Sequence, residues 1–182
     1  MFTNLQTERL LVRQWRPEDR EPFARMNADP RVMKFFPACL SRLESDALAD
    51  RIEREIEQRG WGGYAAELRP ERVFIGFIGL SVPTFQAHFT PCVEIGWRLA
   101  AEHWNRGLAS EGARAVLRHA FEALGMESLV SFTTEKNLAS RRVMEKIGMT
   151  HDAADDFDHP MLEEGHPLRR HVLYRITRKP AR

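Results

Sequence analysis

The chain has 182 residues, of which 43% are hydrophobic and 29% charged, and its formal net charge is +1. That composition excludes a disordered chain, and the length suits a single domain. The charge balance argues against a dedicated nucleic-acid partner, and no apolar run approaches the ~20 residues that span a bilayer.

In chain order, Arg9–Trp15 reads as a first strand. Pro17, Glu18 and Asp19 suit a helix N-terminus, and Asp29-Pro30 ends that helix. Ser41 and Glu44 form a capping-box pattern ahead of Leu48, Ile52 and Ile56, which recur every four residues until Gly60. Trp61–Leu68 and Val73–Val82 read as a strand hairpin. Val93–Leu99 alternates: Val93, Ile95, Trp97 and Leu99 take one face, and Glu94, Gly96 and Arg98 the other. Gly107–Leu124 reads as one long helix ended by Gly125, Leu129–Thr134 as a strand, and Asn137–Ile147 as a helix ended by Gly148. The polar stretch Asp152–Leu168 reads as a loop before a last strand at Arg170–Ile176. Hairpin-linked early strands followed by alternating helices and strands predict a mixed α/β sheet, not an all-parallel one.

The stretch Trp104-Asn-Arg-Gly-Leu-Ala-Ser-Glu-Gly112 follows a strand and opens a helix. A glycine there permits a tight turn, and the amides of a first helical turn have no partners inside the helix. Together these suit a phosphate or pyrophosphate, with Arg106 adding positive charge. A plain strand–helix turn is the bland alternative. Gly107 and Gly112 match GxxxxG, but Ala113-Arg114 stands where a P-loop needs Lys and Ser/Thr, and the three glycines of a dinucleotide-binding fingerprint are absent.

Four stretches resemble the Gcn5-related N-acetyltransferase (GNAT) superfamily, in the branch of the ribosomal-protein N-terminal acetyltransferases. They are Thr7-Glu-Arg-Leu-Leu-Val-Arg13, Val93–Leu99, Trp104–Glu111 and Asn137–Met149. The resemblance extends along nearly the whole chain and implies a single N-acetyltransferase domain over residues 1–182. The implied fold is a mostly antiparallel central sheet flanked by helices, with splayed central strands. It further implies acetyl-CoA as co-substrate and a primary amine as acceptor, on a small molecule or a peptide N-terminus; no metal is expected, since Asp156-Phe-Asp158 is followed by His-Pro and lacks the turn Gly of a calcium loop. By the same resemblance Trp97 and Leu99 offer backbone contacts to the pantetheine arm, and Arg106, Gly107, Leu108, Ala109 and Ser110 hold the pyrophosphate. Trp104 departs from the Gln or Arg that usually opens this loop, though Trp is familiar in the ribosomal-type branch.

An attacking amine must first be neutral, and a carboxylate can take its proton. Glu94 stands on the polar face of its strand where family members place a base; the alternative is an exposed Glu, or one paired with Arg98. The helix after Asn137 lacks the Tyr that many members place near the leaving thiolate. Ser140 matches the Ser of the branch's Asn-x-x-Ser motif and could hydrogen-bond the sulfur, or merely bond backbone. Asn137 could cap its helix and also touch pantetheine. Phe35, Phe36 and His159 are candidate substrate contacts, and the aromatic residues Trp61 and Phe85 line either a pocket or the core. The acids between Asp152 and Glu164 could steer a cationic amine or belong to a solvated loop.

Cys39 and Cys92 have neither zinc spacing nor a matched His base, so they read as buried small hydrophobes in a reduced cytosol, and no covalent intermediate is called for. Met1–Leu10 carries Glu8 and Arg9 and is not signal-peptide-like, so a cytoplasmic location is expected. A homodimer is compatible with the size. The rival functions are a non-catalytic acyl-CoA sensor and a nucleotide-binding protein. The overall charge leans the acceptor toward a small molecule over a ribosomal particle.

Overall fold

A computed structural model describes residues 4–178. The first strand, β1 (Leu5–Gln6), pairs antiparallel with β2 (Leu10–Arg13). A single 3-10 turn at Pro17–Asp19 then leads into helix α1 (Arg20–Ala28). Helix α2 (Arg42–Arg59) begins at the expected capping box: Ser41 Oγ accepts from the Glu44 amide, and the Glu44 carboxylate accepts from the Ser41 amide. It stops at Gly60, whose φ of 77° is left-handed. The hairpin β3 (Gly63–Leu68) and β4 (Val73–Ser81) follows, then β5 (Glu94–Leu99), helix α3 (Leu108–Arg118) and β6 (Ser128–Thr134). Helix α4 (Leu138–Lys146), the short strands β7 (Thr150–His151) and β8 (Phe157–Asp158), and β9 (Arg170–Thr177) complete the chain order.

These strands make one sheet in the order β1-β2-β3-β4-β5-β6-β9-β7, with β8 also on β9. Every pairing is antiparallel except β5 with β6. The expected fold is therefore present: a mixed α/β architecture with a mostly antiparallel sheet. Helices α1 and α2 pack on the face of β5 that carries Arg98, which reaches Asn27 of α1. Helix α3 packs on the opposite face, where Gly112 meets Ile78 and Leu10 so closely that any Cβ would overlap Ile78. The core is apolar and continuous through Leu10, Phe23, Ile52, Tyr64, Ile78, Ile95, Val116 and Met144.

Four expectations need correction. The helix predicted to run to Leu124 ends as α-helix at Arg118 and continues through His119–Ala123 as a π turn, with the Leu124 amide on the His119 carbonyl at 3.0 Å. The stretch 152–168 is not all loop: a 3-10 turn at Ala153–Asp155 and strand β8 dock it on β9. Neither cysteine is buried in the core, for Cys39 is exposed and Cys92 half-buried, although both are unpaired as expected. Arg98 does not pair with Glu94, since its partners lie on α1 and in the segment after it.

One buried charge cluster fastens the end of β2 to the turn that follows it and to β3. Arg13, 3% exposed, binds Asp19 at 2.7 Å and Glu67 at 2.8 Å, and Arg16 reaches the same Glu67 oxygen at 2.9 Å. Removing one partner strands a buried charge. Asp19→Ala is expected to cost about 3–5 kcal/mol of stability, read as a lower denaturant midpoint at unchanged slope. An unchanged midpoint would contradict the role given to this cluster.

Candidate active site

The sheet opens at its centre. Strands β5 and β6 register at a single pair, Glu94 with Val130, and the Val130 amide donates to the Val93 carbonyl at 3.0 Å. On its other side β5 is paired with β4 along its whole length. Backbone groups alternate sides along a strand, so Trp97 turns its N–H and C=O toward β6, where no residue registers with it. The Leu99 carbonyl points the same way but is closed by the Trp104 indole N–H at 2.8 Å. That bond gives the unusual Trp104 a local role: it ties the end of β5 to the loop that follows.

The loop runs into α3 through two left-handed residues, Asn105 (φ 57°) and Gly107 (φ 77°). Positive φ favours glycine at the second of these. The Glu111 amide is the first to find a helical acceptor, the Gly107 carbonyl at 3.0 Å. Among the described residues the amides of Arg106, Gly107, Leu108, Ala109 and Ser110 have no backbone acceptor. They form a cluster of free donors at the positive end of a helix, a geometry that accepts an anion. Arg106 is exposed beside it, with His103 at 3.4 Å.

The loop is held from a distance. Arg9 Nη1 donates to the Arg106 carbonyl at 2.9 Å, and Arg9 pairs with Glu111 at 2.6 Å. Glu111 also accepts from Thr7 Oγ1 at 2.6 Å and from the Arg9 amide at 2.9 Å. Partial burial pushes the Glu111 carboxyl up, but the bonds from Thr7 and Arg9 outweigh it and hold the group below the usual carboxylate range. Sequence reasoning quoted both stretches as motifs yet missed this link, because 102 positions separate Arg9 from Glu111.

Glu94 begins β5 at the mouth of the opening. Its Oε2 accepts from Ser81 Oγ at 3.2 Å, across the strand pair. Burial pushes its pKa up to about 7, only partly offset by that hydrogen bond. A carboxylate with such a pKa can exchange a proton near neutrality. Asn137 caps α4, its Oδ1 accepting from the Ser140 amide at 3.3 Å and its Nδ2 donating to Thr133 Oγ1 at 3.0 Å. The half-buried Ser140 hydroxyl has no hydrogen bond among the described residues, so it is not spent on the helix backbone.

The acceptor-side candidates separate into two groups. Phe36, exposed, lies over the Arg98 guanidinium at 4.1 Å, while Phe35 lies beneath Lys34 at 5.4 Å. His159 instead joins an aromatic cluster with Phe85 (4.6 Å between rings), Phe132, Phe157 and His171. Burial, and then the neighbouring His171, lower its pKa to about 4, so it is neutral at pH 7. Phe85 belongs to that same cluster, and Trp61 packs against the main core. Three of the six acids of the 152–168 segment are paired: Asp155 with Arg175 at 2.6 Å, Asp156 with His151 at 2.7 Å, and Asp158 with Arg169 and Arg170 at 3.5 Å. Asp152 accepts from the Ala154 amide at 2.9 Å, and Glu163 and Glu164 are exposed with no ion-pair partner among the described residues.

Comparison with known proteins agrees with this geometry. Residues 9–150 match the family model of the acetyltransferase (GNAT) domain. A FsC-acetyl coenzyme A-N(2)-transacetylase of Aspergillus fumigatus is 33% identical over 96% of this chain and 76% of its own length. A GNAT-family acetyltransferase crystal structure from Bacillus anthracis superposes with a TM-score of 0.79 at 26% identity, covering 96% of this chain and 98% of that one. RimL, a ribosomal L7/L12 alpha-N-protein acetyltransferase solved with coenzyme A, shares the fold at a TM-score of 0.76 and 14% identity, over 96% of this chain and 98% of that one.

The tie between Glu111 and the chain's start is testable by its pH signature. A carboxylate whose folded pKa is depressed stabilises fully above its unfolded pKa of ~4.3 and loses that contribution as pH falls through the folded value. Glu111→Gln should therefore lower stability by about 1–3 kcal/mol at pH 7. The gap to wild type should close on acidification below pH ~4. A gap independent of pH would contradict a charge-based tie.

Proposed function

The chain belongs to the GNAT acetyltransferase family, and from that premise we propose that it moves an acetyl group from acetyl-CoA to a primary amine in one ternary complex. The observation that carries this reading is the β5–β6 opening: a strand edge with unspent backbone groups at Trp97 leads directly to the free amides of 106–110. A pantetheine amide suits the first and a pyrophosphate the second. Trp97 and the amide of Leu99 would hold the arm, and Arg106, Gly107, Leu108, Ala109 and Ser110 the phosphates, with Asn137 beside the arm. The donor supplies an activated thioester acyl group.

The chain's own residues then manage protons. The Glu94 carboxylate takes the proton of the incoming ammonium, directly or through water, so that a neutral nitrogen attacks. As the C–N bond forms and the C–S bond breaks, the Ser140 hydroxyl donates a hydrogen bond to the departing sulfur. An alcohol is too weak an acid to do more than that on its own, and the thiolate takes its proton from the attacking nitrogen, positively charged until it gives that proton up to become the neutral amide, or from solvent. The name of the Aspergillus relative, a transacetylase acting at a nitrogen from acetyl coenzyme A, supports this choice of donor and acceptor. We place the reaction in the cytoplasm and carry the single-domain reading of residues 1–182 forward on the same footing, with Phe35, Phe36 and His159 on the acceptor side. A homodimer is part of the same proposal.

Thiol release from acetyl-CoA with a lysine-like amine tests it. Wild-type kcat/KM should rise with pH through about 7 as Glu94 deprotonates, a limb distinct from that of the amine itself. Glu94→Gln should lower kcat/KM by roughly 10²–10⁴ and erase that limb. Acetyl-CoA binding without thiol release from any amine would favour the non-catalytic sensor instead. Full activity of Glu94→Gln would remove Glu94 as the base.

A further inference from the structure

Among the described residues, Arg98 is a cation without a counter-charge. Its Nη1 donates to Asn27 Oδ1 at 2.7 Å, and Asn27, itself fully buried, is fixed through Ser45 at 2.9 Å. The guanidinium plane lies over Phe36 at 4.1 Å and near Phe77, its cross-strand neighbour, at 5.6 Å. Nε is buried with no hydrogen-bond partner among the described residues. Nη2 has no hydrogen-bond partner among the described residues either, and unlike Nε it is not sealed from solvent. Among the described residues no carboxylate pairs with Arg98, and the charged group whose field reaches it is another cation, Arg51. Burial, and then Arg51, lower its pKa to about 10, which still leaves it charged at neutral pH. Such a group is costly to hold unless something pairs with it.

Its placement says what that something is. Glu94, Gly96 and Arg98 share the face of β5 that looks toward α1 and α2. A Cβ built on Gly96 would meet only the Glu94 carboxylate, at 3.9 Å, so the floor between Glu94 and Arg98 is open. We infer that Arg98, braced by Asn27 and Phe36, is an anion-binding group for the acceptor, and that the acceptor is an extended amine carrying a carboxylate or phosphate at its far end. This rests on the acetyl-transfer reading above. Four strand steps take Glu94 to Arg98, about 13 Å between Cα atoms; the Glu94 carboxylate leans over Gly96, which shortens the gap between the two head groups, while the contact with Phe77 keeps the guanidinium at its own end. The amine must meet Glu94 while the anion meets Arg98, so a chain with its amine and anion at opposite ends suits this floor better than one with both groups on a single carbon.

The test is calorimetric titration of the CoA-saturated full chain with linear ω-amino acids of increasing length, their carboxamides, and the matching ω-aminoalkyl phosphates. The carboxylates or the phosphates should bind roughly tenfold or more tighter than the carboxamides, as expected for hydrogen bonds to a charged group. The tighter of the two anions identifies which one the site takes. Arg98→Gln should abolish that preference and Arg98→Lys retain part of it, whereas a purely structural Arg98 would weaken acid and amide alike. Equal binding of acid and amide by the wild type, no binding of any anion-bearing amine, or a preference that survives Arg98→Gln would overturn the inference. Titration with acetyl-CoA separates the two levels. Normal acetyl-CoA binding with no anion preference overturns this inference alone, and failure to bind acetyl-CoA overturns the reading beneath it as well.

Discussion

Backbone groups in the middle of a sheet are ordinarily paired, because an unmet N–H or C=O away from water is costly. Here the one parallel junction, β5 with β6, breaks that rule after a single registered pair. The break is sustained from both sides. Strand β5 is paired throughout with β4, and β6 throughout with β9, so neither needs the other to remain a strand. Trp104 closes the far end by capping the Leu99 carbonyl. What remains is a slot with unspent backbone polarity at Trp97, leading to a helix start whose amides are also unspent. The rest of the fold holds these two edges at a fixed separation and angle. Gly112 brings α3 hard against β2 and β4, and the Arg9–Glu111 pair locks the loop to the chain's first turn.

The electrostatics of β5 follow from the same geometry. One strand face, half-buried under α1 and α2, carries a carboxyl at one end and a guanidinium at the other. Burial penalises the charged form of each, raising Glu94 toward neutrality and lowering Arg98. They do not pair with each other, and among the described residues each hydrogen-bonds only a neutral partner, Ser81 and Asn27. A base poised near pH 7 and an unmatched cation on one open floor suit a substrate that brings both an amine and a negative charge. Stability alone would favour pairing the two groups or replacing them with apolar residues.

Much of this was legible in the chain. The capping box of α2, the alternation of Val93–Leu99 and the glycine at the start of α3 are local signals, and local structure followed them. The splay itself entered only through the family resemblance, since no periodicity says that two strands part. What escaped was tertiary. Thr7, Arg9 and Glu111 stood in recognisable motifs, but nothing local announces a bond between residues so distant in sequence. A pair between Arg98 and Glu94 stood as one alternative for Glu94 because the two share a face; Asn27 and Phe36 hold the guanidinium instead. The acids after Asp152 looked free because their partners, Arg175 above all, arrive with the last strand. Cys39 read as buried on residue type alone, while its position in the exposed segment ahead of α2 decides its surroundings.

The central claim is that the β5 edge and the loop at 106–110 together receive acetyl-CoA. Amide hydrogen exchange, with and without saturating acetyl-CoA, tests it most directly. The account predicts slowed exchange concentrated at Trp97, Leu99 and residues 106–110, with ATP failing to reproduce the protection at Trp97 and Leu99. Protection absent from these amides, or produced there equally by ATP, would contradict it.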